Sequence, residues 1–169
     1  RGLIDRFESA NLLTRQTSFD AGQHYAEKIE ADLRTMGADT VLLQIMSLED
    51  GLYLFVRAAG HETIRRKMPI RRAELARQVL TAVDAVKNRR DDAQAQLAGL
   101  YDRLIRPVRS DLDAAVAQDG AVAPVLLLDL SGFLRYVPYA ALYDGKRYLV
   151  EDFAPALYNP ANPTKFTPM

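Results

Sequence analysis

The 169-residue sequence carries 22 basic and 22 acidic side chains, and hydrophobic residues make up 49% of it. This content is enough for one buried core, whereas no apolar run approaches the roughly 20 residues that a membrane span needs. The charge balance argues against nucleic-acid binding, because neutralising phosphates requires a clustered basic excess. There is no cysteine, and therefore no disulfide framework. We expect a cytoplasmic protein that contacts neither nucleic acid nor membrane.

Residues 1–36 have the apolar spacing of helices, with a break between about residues 9 and 20. The second helix has a four-residue repeat formed by Tyr25, Ile29 and Leu33, and Gly37 is its predicted C-terminal cap. We predict that this stretch is a helical linker or the tail of a preceding helical region.

Three strands are predicted next, at 40–46, 52–56 and 63–68, with a hairpin turn at 49–51. The first two are apolar and should be interior. The third alternates apolar residues with Arg65 and Lys67, and such charges discourage pairing between sheet edges. The pattern predicts a small antiparallel three-stranded unit.

Helices are predicted at 72–87, 91–105 and 109–118, the second ended or kinked by Pro107. The apolar face of the first predicted helix consists of Leu75, Val79, Leu80, Val83 and Val86. That of the second consists of Leu97, Leu100, Tyr101, Leu104 and Ile105.

A strand at 125–128 is apolar without alternation, which is typical of a strand covered on both faces. The upstream helices are expected to cover only one face. We therefore expect an incomplete sheet, in a chain that is truncated, cleaved or part of something longer. Its open edge would permit self-association or pairing with a second chain.

Turn signals at Ser131-Gly132 and Asp144-Gly145 bound further predicted strands, a hairpin at 133–137 and an aromatic strand from Tyr148. Four prolines fall in the last fifteen residues, so 159–169 is predicted to be an irregular tail.

This order of signals resembles the opening of a CHAT domain, a caspase-like cysteine peptidase domain. The family pattern reads L-x-x-(L/V)-P-(F/Y)-A-A-L, an Asp-Gly turn, then (Y/F)-L-V-E-x-(Y/F). It is matched by Leu134, Val137, Pro138, Tyr139, Ala140, Ala141, Leu142, Asp144, Gly145, Tyr148, Leu149, Val150, Glu151 and Phe153. The segment 100–107 also fits the family, so the resemblance covers about residues 40–158. It implies an α/β fold with a caspase-like mixed sheet flanked by helices.

Peptidases of this family use a histidine and a cysteine thiolate, and both follow the segment that this chain matches. The resemblance therefore implies a non-catalytic amino-terminal portion, without catalytic, cofactor-binding or metal-binding residues of its own. The parent enzyme would cleave a protein or peptide substrate. The alternative is a degenerate caspase-like platform that binds regulatory partners.

A minor alternative is a haloacid-dehalogenase-like hydrolase with Asp129 as the covalent nucleophile at the end of an apolar strand. However, the usual second aspartate is Ser131 here, and too few residues follow for the remaining strands and magnesium-binding acids. A plain turn at 129–132 is the favoured interpretation.

Other candidates have simpler structural explanations. Ser131 lacks the Gly-x-Ser-x-Gly context of a nucleophile, and His24 and His61 fit solvated surface positions better than a zinc site. Gly145-Lys146 is interpreted as a turn rather than a phosphate loop. A solvated face is favoured over an acidic-partner site for Arg65, Arg66, Lys67, Arg71 and Arg72. Packing is favoured over a peptide cleft for Pro138, Tyr136, Tyr139, Tyr143, Tyr148 and Phe153.

Overall fold

Five strands form one mixed sheet in the order β3-β2-β1-β4-β5. The structure, a computed structural model, describes residues 22–117 and 122–160. The strands are β1 (Thr40–Leu48), β2 (Gly51–Arg57), β3 (Ile64–Met68), β4 (Val125–Leu130) and β5 (Ala154–Leu157). The first three are antiparallel, whereas β4 runs parallel to β1 and β5 runs parallel to β4. The predicted α/β class is confirmed.

The described part of the first helix, α1, spans 22–36. It is followed by α2 (Arg72–Lys87), α3 (Ala93–Leu104), α4 (Arg109–Ala115) and α5 (Leu149–Asp152). Short 3-10 helices occupy Arg106–Val108, Gly132–Tyr136 and Tyr139–Ala141. Within the described ranges, no helix combines the length and the apolar character needed to cross a membrane.

The centre of the sheet is buried on both faces, as the run at 125–128 predicted. On one face, Leu126 and Leu128 join the main core with residues of α2 and α3. On the other, Leu127 and Leu42 pack against α1. Each such side chain contributes roughly 1.5–3 kcal/mol on burial, which explains why the strand has no polar face.

The prediction that upstream helices cover only one face of the sheet is wrong. Helix α1 precedes the sheet, and its Ile29 and Leu33 are buried in the second core cluster. The predicted cap is present, since Gly37 has φ 97° and its N–H donates to the Leu33 carbonyl at 3.1 Å. The helical pattern predicted before this one lies outside the described residues.

The three strands predicted as a small unit of their own are part of the larger sheet. β1 pairs with β2 along one edge and with β4 along the other, from Thr40↔Val125 to Ile45↔Leu130. The physical reason is that β1 is apolar on both faces and requires cover and partners on both sides.

The apolar face predicted for α2 is partly wrong. Leu75 and Val79 are buried, but the other buried positions are Ala82 and Ala85, while Leu80 is 64% exposed. Leu80 lies about 140° around the helix from Leu75 at 100° per residue, on the far side from the sheet. Val86, in the last turn, is exposed too. The five apolar residues predicted for α3 are all buried.

The strands predicted at 133–137 and from Tyr148 are also wrong, because 3-10 helices and α5 replace them. Both edges of β4 are already paired, with β1 and with β5, so no hairpin can add there. The Tyr148 N–H donates to Glu151 Oε2 at 2.7 Å, which caps α5 instead. Residues 159 and 160 have neither helix nor strand, as predicted, and 161–169 lie outside the described residues. The third helix is shorter than the predicted 109–118, because α4 ends at Ala115, where the backbone of Val116 is extended; residues 118–121 lie outside the described ranges.

Candidate functional site at the carboxyl ends of the parallel strands

The carboxyl ends of β1, β4 and β5 meet at one end of the sheet, because these strands are parallel. Ligands of open α/β sheets bind at this end. On the face covered by α1, it carries Gln44 opposite Asp129, with Tyr158 following β5. These three side chains are the polar part of the candidate site.

Helix α1 is held to this end of the sheet by hydrogen bonds. The Tyr25 hydroxyl donates to Asp129 Oδ2, and Gln44 Nε2 donates to the Tyr25 oxygen at 3.4 Å. About one helical turn after Tyr25, Lys28 Nζ donates to the Pro160 carbonyl. About two turns after Tyr25, Asp32 Oδ2 accepts a hydrogen bond from the Tyr158 hydroxyl at 2.6 Å. The arrangement positions α1 relative to β4 and to the chain after β5.

Both tyrosine hydroxyls in this network are held in the protonated form. Burial raises the pKa of Tyr25, and its hydrogen bond to Asp129 raises the pKa further. Burial and the bond to Asp32 likewise raise the pKa of Tyr158. These groups therefore act as hydrogen-bond donors, not as acids or bases near neutral pH.

A cleft of about 210 Å³ opens beside this network at the ends of β4 and β5. Its lining includes Asp129, Arg135, Leu157 and Tyr158. Arg135 is held in place because its Nε donates to the Leu130 carbonyl at 3.1 Å. The cleft contains groups that can bind a peptide, and its lining includes no thiol or imidazole.

The outer edge of β5 is open among the described residues. The N–H groups of Ala154 and Tyr158 donate to the Pro124 and Leu128 carbonyls of the β4 side, at 2.9 and 2.8 Å. Because the direction of the main-chain groups alternates along the strand, the carbonyl of Pro155 and the N–H and carbonyl of Leu157 point away from β4. Proline has no N–H to leave unpaired, which suits an edge, and Leu157 is 66% exposed.

Arg109 was not predicted from the sequence as a functional residue, although it contacts Asp152 and Phe153, the two residues that lead into β5. Its Nε donates to both oxygens of Asp113 at 3.1 Å, and its other nitrogens donate to Tyr101 and Asp152 at 3.2 Å. Its guanidinium lies 5.1 Å from the centre of the Phe153 ring. The four-residue spacing of Arg109 and Asp113 is the only part of this contact set that the sequence pattern signals.

The enzymatic candidates of the sequence do not converge on one point. Asp129 is turned towards Tyr25 of α1, and Ser131 is exposed just after β4. His24 is exposed on α1, and His61 lies in the turn between β2 and β3, at the opposite end of the sheet from Ser131. Within the described ranges, no group of three or more acidic or histidine side chains is placed to hold a metal ion. The structure thus does not bring these candidates together into one site.

The aromatic candidates are mainly packing residues. Phe153 and Tyr139 are buried, and the Tyr139 hydroxyl donates to the Leu134 carbonyl at 3.1 Å. The rings of Tyr143 and Tyr148 lie 5.0 Å apart, and Pro138 is half-buried beside these residues in the sequence. Tyr136 is 72% exposed, and Tyr148 is also exposed, at 37%.

The Asp144-Gly145 turn is present as predicted. Asp144 Oδ1 accepts hydrogen bonds from the N–H groups of Lys146 and Arg147, both at 2.7 Å, and these bonds lower the pKa of the Asp144 carboxyl. Gly145 has φ 103°, which glycine adopts without strain. The Lys146 N–H is thus used within the turn instead of facing a phosphate.

The region from α3 to the segment after β5 is similar to a known protein family. Residues 94–166 match the family model of the CHAT domain. The predicted resemblance is confirmed over these residues, and it relates them to a caspase-like, peptidase-related family. The CHAT-domain match begins within α3, so the resemblance predicted for 40–93 stays a prediction. No curated protein matches the chain.

Proposed function

We propose that this chain supplies the non-catalytic amino-terminal portion of a CHAT-like cysteine peptidase, whose histidine and cysteine lie further along the polypeptide. The observation that carries the proposal is the edge of β5, which no other described strand covers and which ends beside the polar cleft within the CHAT-domain match. A cysteine peptidase needs a thiolate and an imidazole, and this sequence contains no cysteine. The parent enzyme would act on a protein or peptide.

The role of the described residues in that enzyme is positional. β4 is covered on both faces and paired on both edges, so it is a fixed reference for strands added beyond β5. Leu157, on the outward edge, supplies an N–H, a carbonyl and an exposed apolar side chain to the next strand. Catalytic groups at the carboxyl ends of added parallel strands would lie next to Asp129 and Arg135.

The test compares this chain with a longer protein translated from the same gene, extended by about 100 residues, which is the size of a typical domain. We expect the longer protein to cleave casein and to be labelled by fluorescent iodoacetamide. Substituting Leu157→Asp in it should lower the cleavage rate about tenfold or more, because a charge at the strand junction loses its hydration. The matched control is Leu80→Asp, whose side chain is equally exposed on α2.

A second function is distinguished by the same experiment. A degenerate platform would use the open edge to bind a regulatory protein or a second copy of the chain. An extension that lacks histidine and cysteine, or that neither cleaves nor is labelled, would contradict the peptidase proposal. The platform would then be tested by size-exclusion chromatography, in which Leu157→Asp should abolish the association and Leu80→Asp should not.

A further inference from the structure

The sheet has a second outer edge, formed by β3. Among the described residues β3 pairs only with β2, from Leu52↔Met68 to Val56↔Ile64. The main-chain bond from the Val125 N–H to the Asp39 carbonyl, at 2.8 Å, fixes which residues of each strand face which neighbour. Followed across β1 and β2, this alternation turns the N–H and carbonyl groups of Arg65 and Lys67 outward. The edge can therefore receive another strand.

This edge carries three consecutive cations on the two faces of the sheet. Arg65 and Lys67 lie on one face, where their charged groups are 5.2 and 5.3 Å from the centre of the Tyr53 ring. Lys67 pairs with Asp50 at 3.1 Å, whereas the described carboxylates include no ion-pair partner of Arg65. Arg66, on the other face, pairs with Asp111 at 3.2 Å. The cations repel a second copy of β3 and favour an acidic strand.

An apolar cleft lies beside this edge on the Arg66 face. It has a volume of about 250 Å³ between the start of β3 and α4. Its lining is apolar at Val56, Ala58, Ile64, Ala114 and Ala115, and polar at His61, Glu62 and Asp111. Side chains of an added strand alternate between the two faces of the sheet. A strand with acidic residues on the face of Arg65 and Lys67 would direct apolar residues to the side of this cleft.

We propose that the β3 edge binds an extended segment of a partner protein in which acidic and apolar residues alternate. Main-chain hydrogen bonds to Arg65 and Lys67 add the segment to the sheet, as in other cases of strand addition. Its carboxylates pair with the Arg65 and Lys67 side chains, and one of its apolar side chains enters the cleft beside Ile64. A protein segment fits better than a nucleic acid, because a nucleic acid cannot continue the main-chain ladder.

The test measures the fluorescence anisotropy of a labelled peptide, acetyl-Thr-Glu-Val-Glu-Val-Glu-Thr amide, titrated with the 169-residue chain. We expect binding that weakens about tenfold or more with Arg65→Glu, since like charges then face each other. The matched control is Arg77→Glu, an equivalent charge reversal on the exposed side of α2, which should bind like the unsubstituted chain. Thermal unfolding followed by circular dichroism verifies that both variants are folded.

Two further probes separate strand addition from charge attraction alone. A peptide N-methylated at both its glutamates and its valines lacks the N–H groups that would pair with β3 in either strand direction, so it cannot complete the ladder and should bind about tenfold more weakly or worse, as should a peptide with glutamine in place of glutamate. The proposal is overturned if the N-methylated peptide binds as well as the original, or if no binding is seen. It is equally overturned if a single-stranded RNA of about 12 nucleotides binds more tightly with the same dependence on Arg65.

Discussion

Helix α1 is the element whose place in the fold differs most from the sequence-based expectation, and Leu33→Ala tests that place. Leu33, on the buried side of α1, is only 1% exposed and lies in one core cluster with Leu42 and Leu127 of the sheet. Truncation removes three carbons at roughly 0.8 kcal/mol each. A cavity term on the order of 1 kcal/mol adds to this, since the helix cannot collapse fully onto the sheet. We expect a loss of about 3 kcal/mol in the free energy of unfolding.

The assay is urea unfolding followed by circular dichroism at 222 nm, together with a thermal melt. For a chain of this length, about 3 kcal/mol corresponds to a drop of roughly 6–12 °C in Tm. Leu80→Ala is the control, because that leucine is largely exposed and its truncation should change stability by no more than about 0.5 kcal/mol. An effect of Leu33→Ala as small as that of the control would refute the packing of α1 on the sheet.

Two other sites give measurable predictions. Tyr25→Phe removes a donor from the half-buried Asp129 and should cost about 1–3 kcal/mol in urea unfolding. Because the folded state raises the pKa of Tyr25 above its ordinary value near 10, the unfolded state loses this proton first, and stability falls as pH rises above 10. That alkaline loss should be smaller in Tyr25→Phe, and equal losses in both proteins would contradict the raised pKa of Tyr25, which burial and the hydrogen bond to Asp129 cause together. Gly132 has φ 59°, so Gly132→Ala should destabilise by roughly 1–2 kcal/mol. Gly22→Ala, in a helix with open space around the glycine, should be neutral or stabilising by up to about 1 kcal/mol.

Sequence periodicity predicted the elements whose buried side follows from the spacing of their own apolar residues. The repeat of Tyr25, Ile29 and Leu33 predicted a helix and its buried side, and the run at 125–128 predicted a strand covered twice. Periodicity does not say which sheet face a helix covers, because the run at 125–128 is apolar on both faces. The position of α1, and the joining of β1 to β4, therefore required the structure.

The errors after β4 have a different cause. Aromatic and β-branched residues such as Phe133, Val137 and Tyr148 have high strand propensity, but propensity applies only where a sheet edge is free. Here the edges of β4 are occupied, and Pro138 interrupts the segment, so the chain turns in 3-10 helices. The Arg109 contacts were missed for a related reason, since Asp152 and Phe153 are more than 40 residues away and no local pattern links them.

The difference between the paired and the open side of β5 can be measured on the chain itself by amide hydrogen exchange. The N–H groups of Ala154 and Tyr158 are bonded to the β4 side, so their exchange requires opening of the sheet. The Leu157 N–H, one residue from Tyr158, points outward, and Pro155 has no N–H at all. We therefore expect Leu157 to exchange at close to the rate of an unprotected amide, and Tyr158 several orders of magnitude more slowly. Equal protection of the two would mean that another strand already covers this edge, in which case Leu157 could not be the junction for added strands.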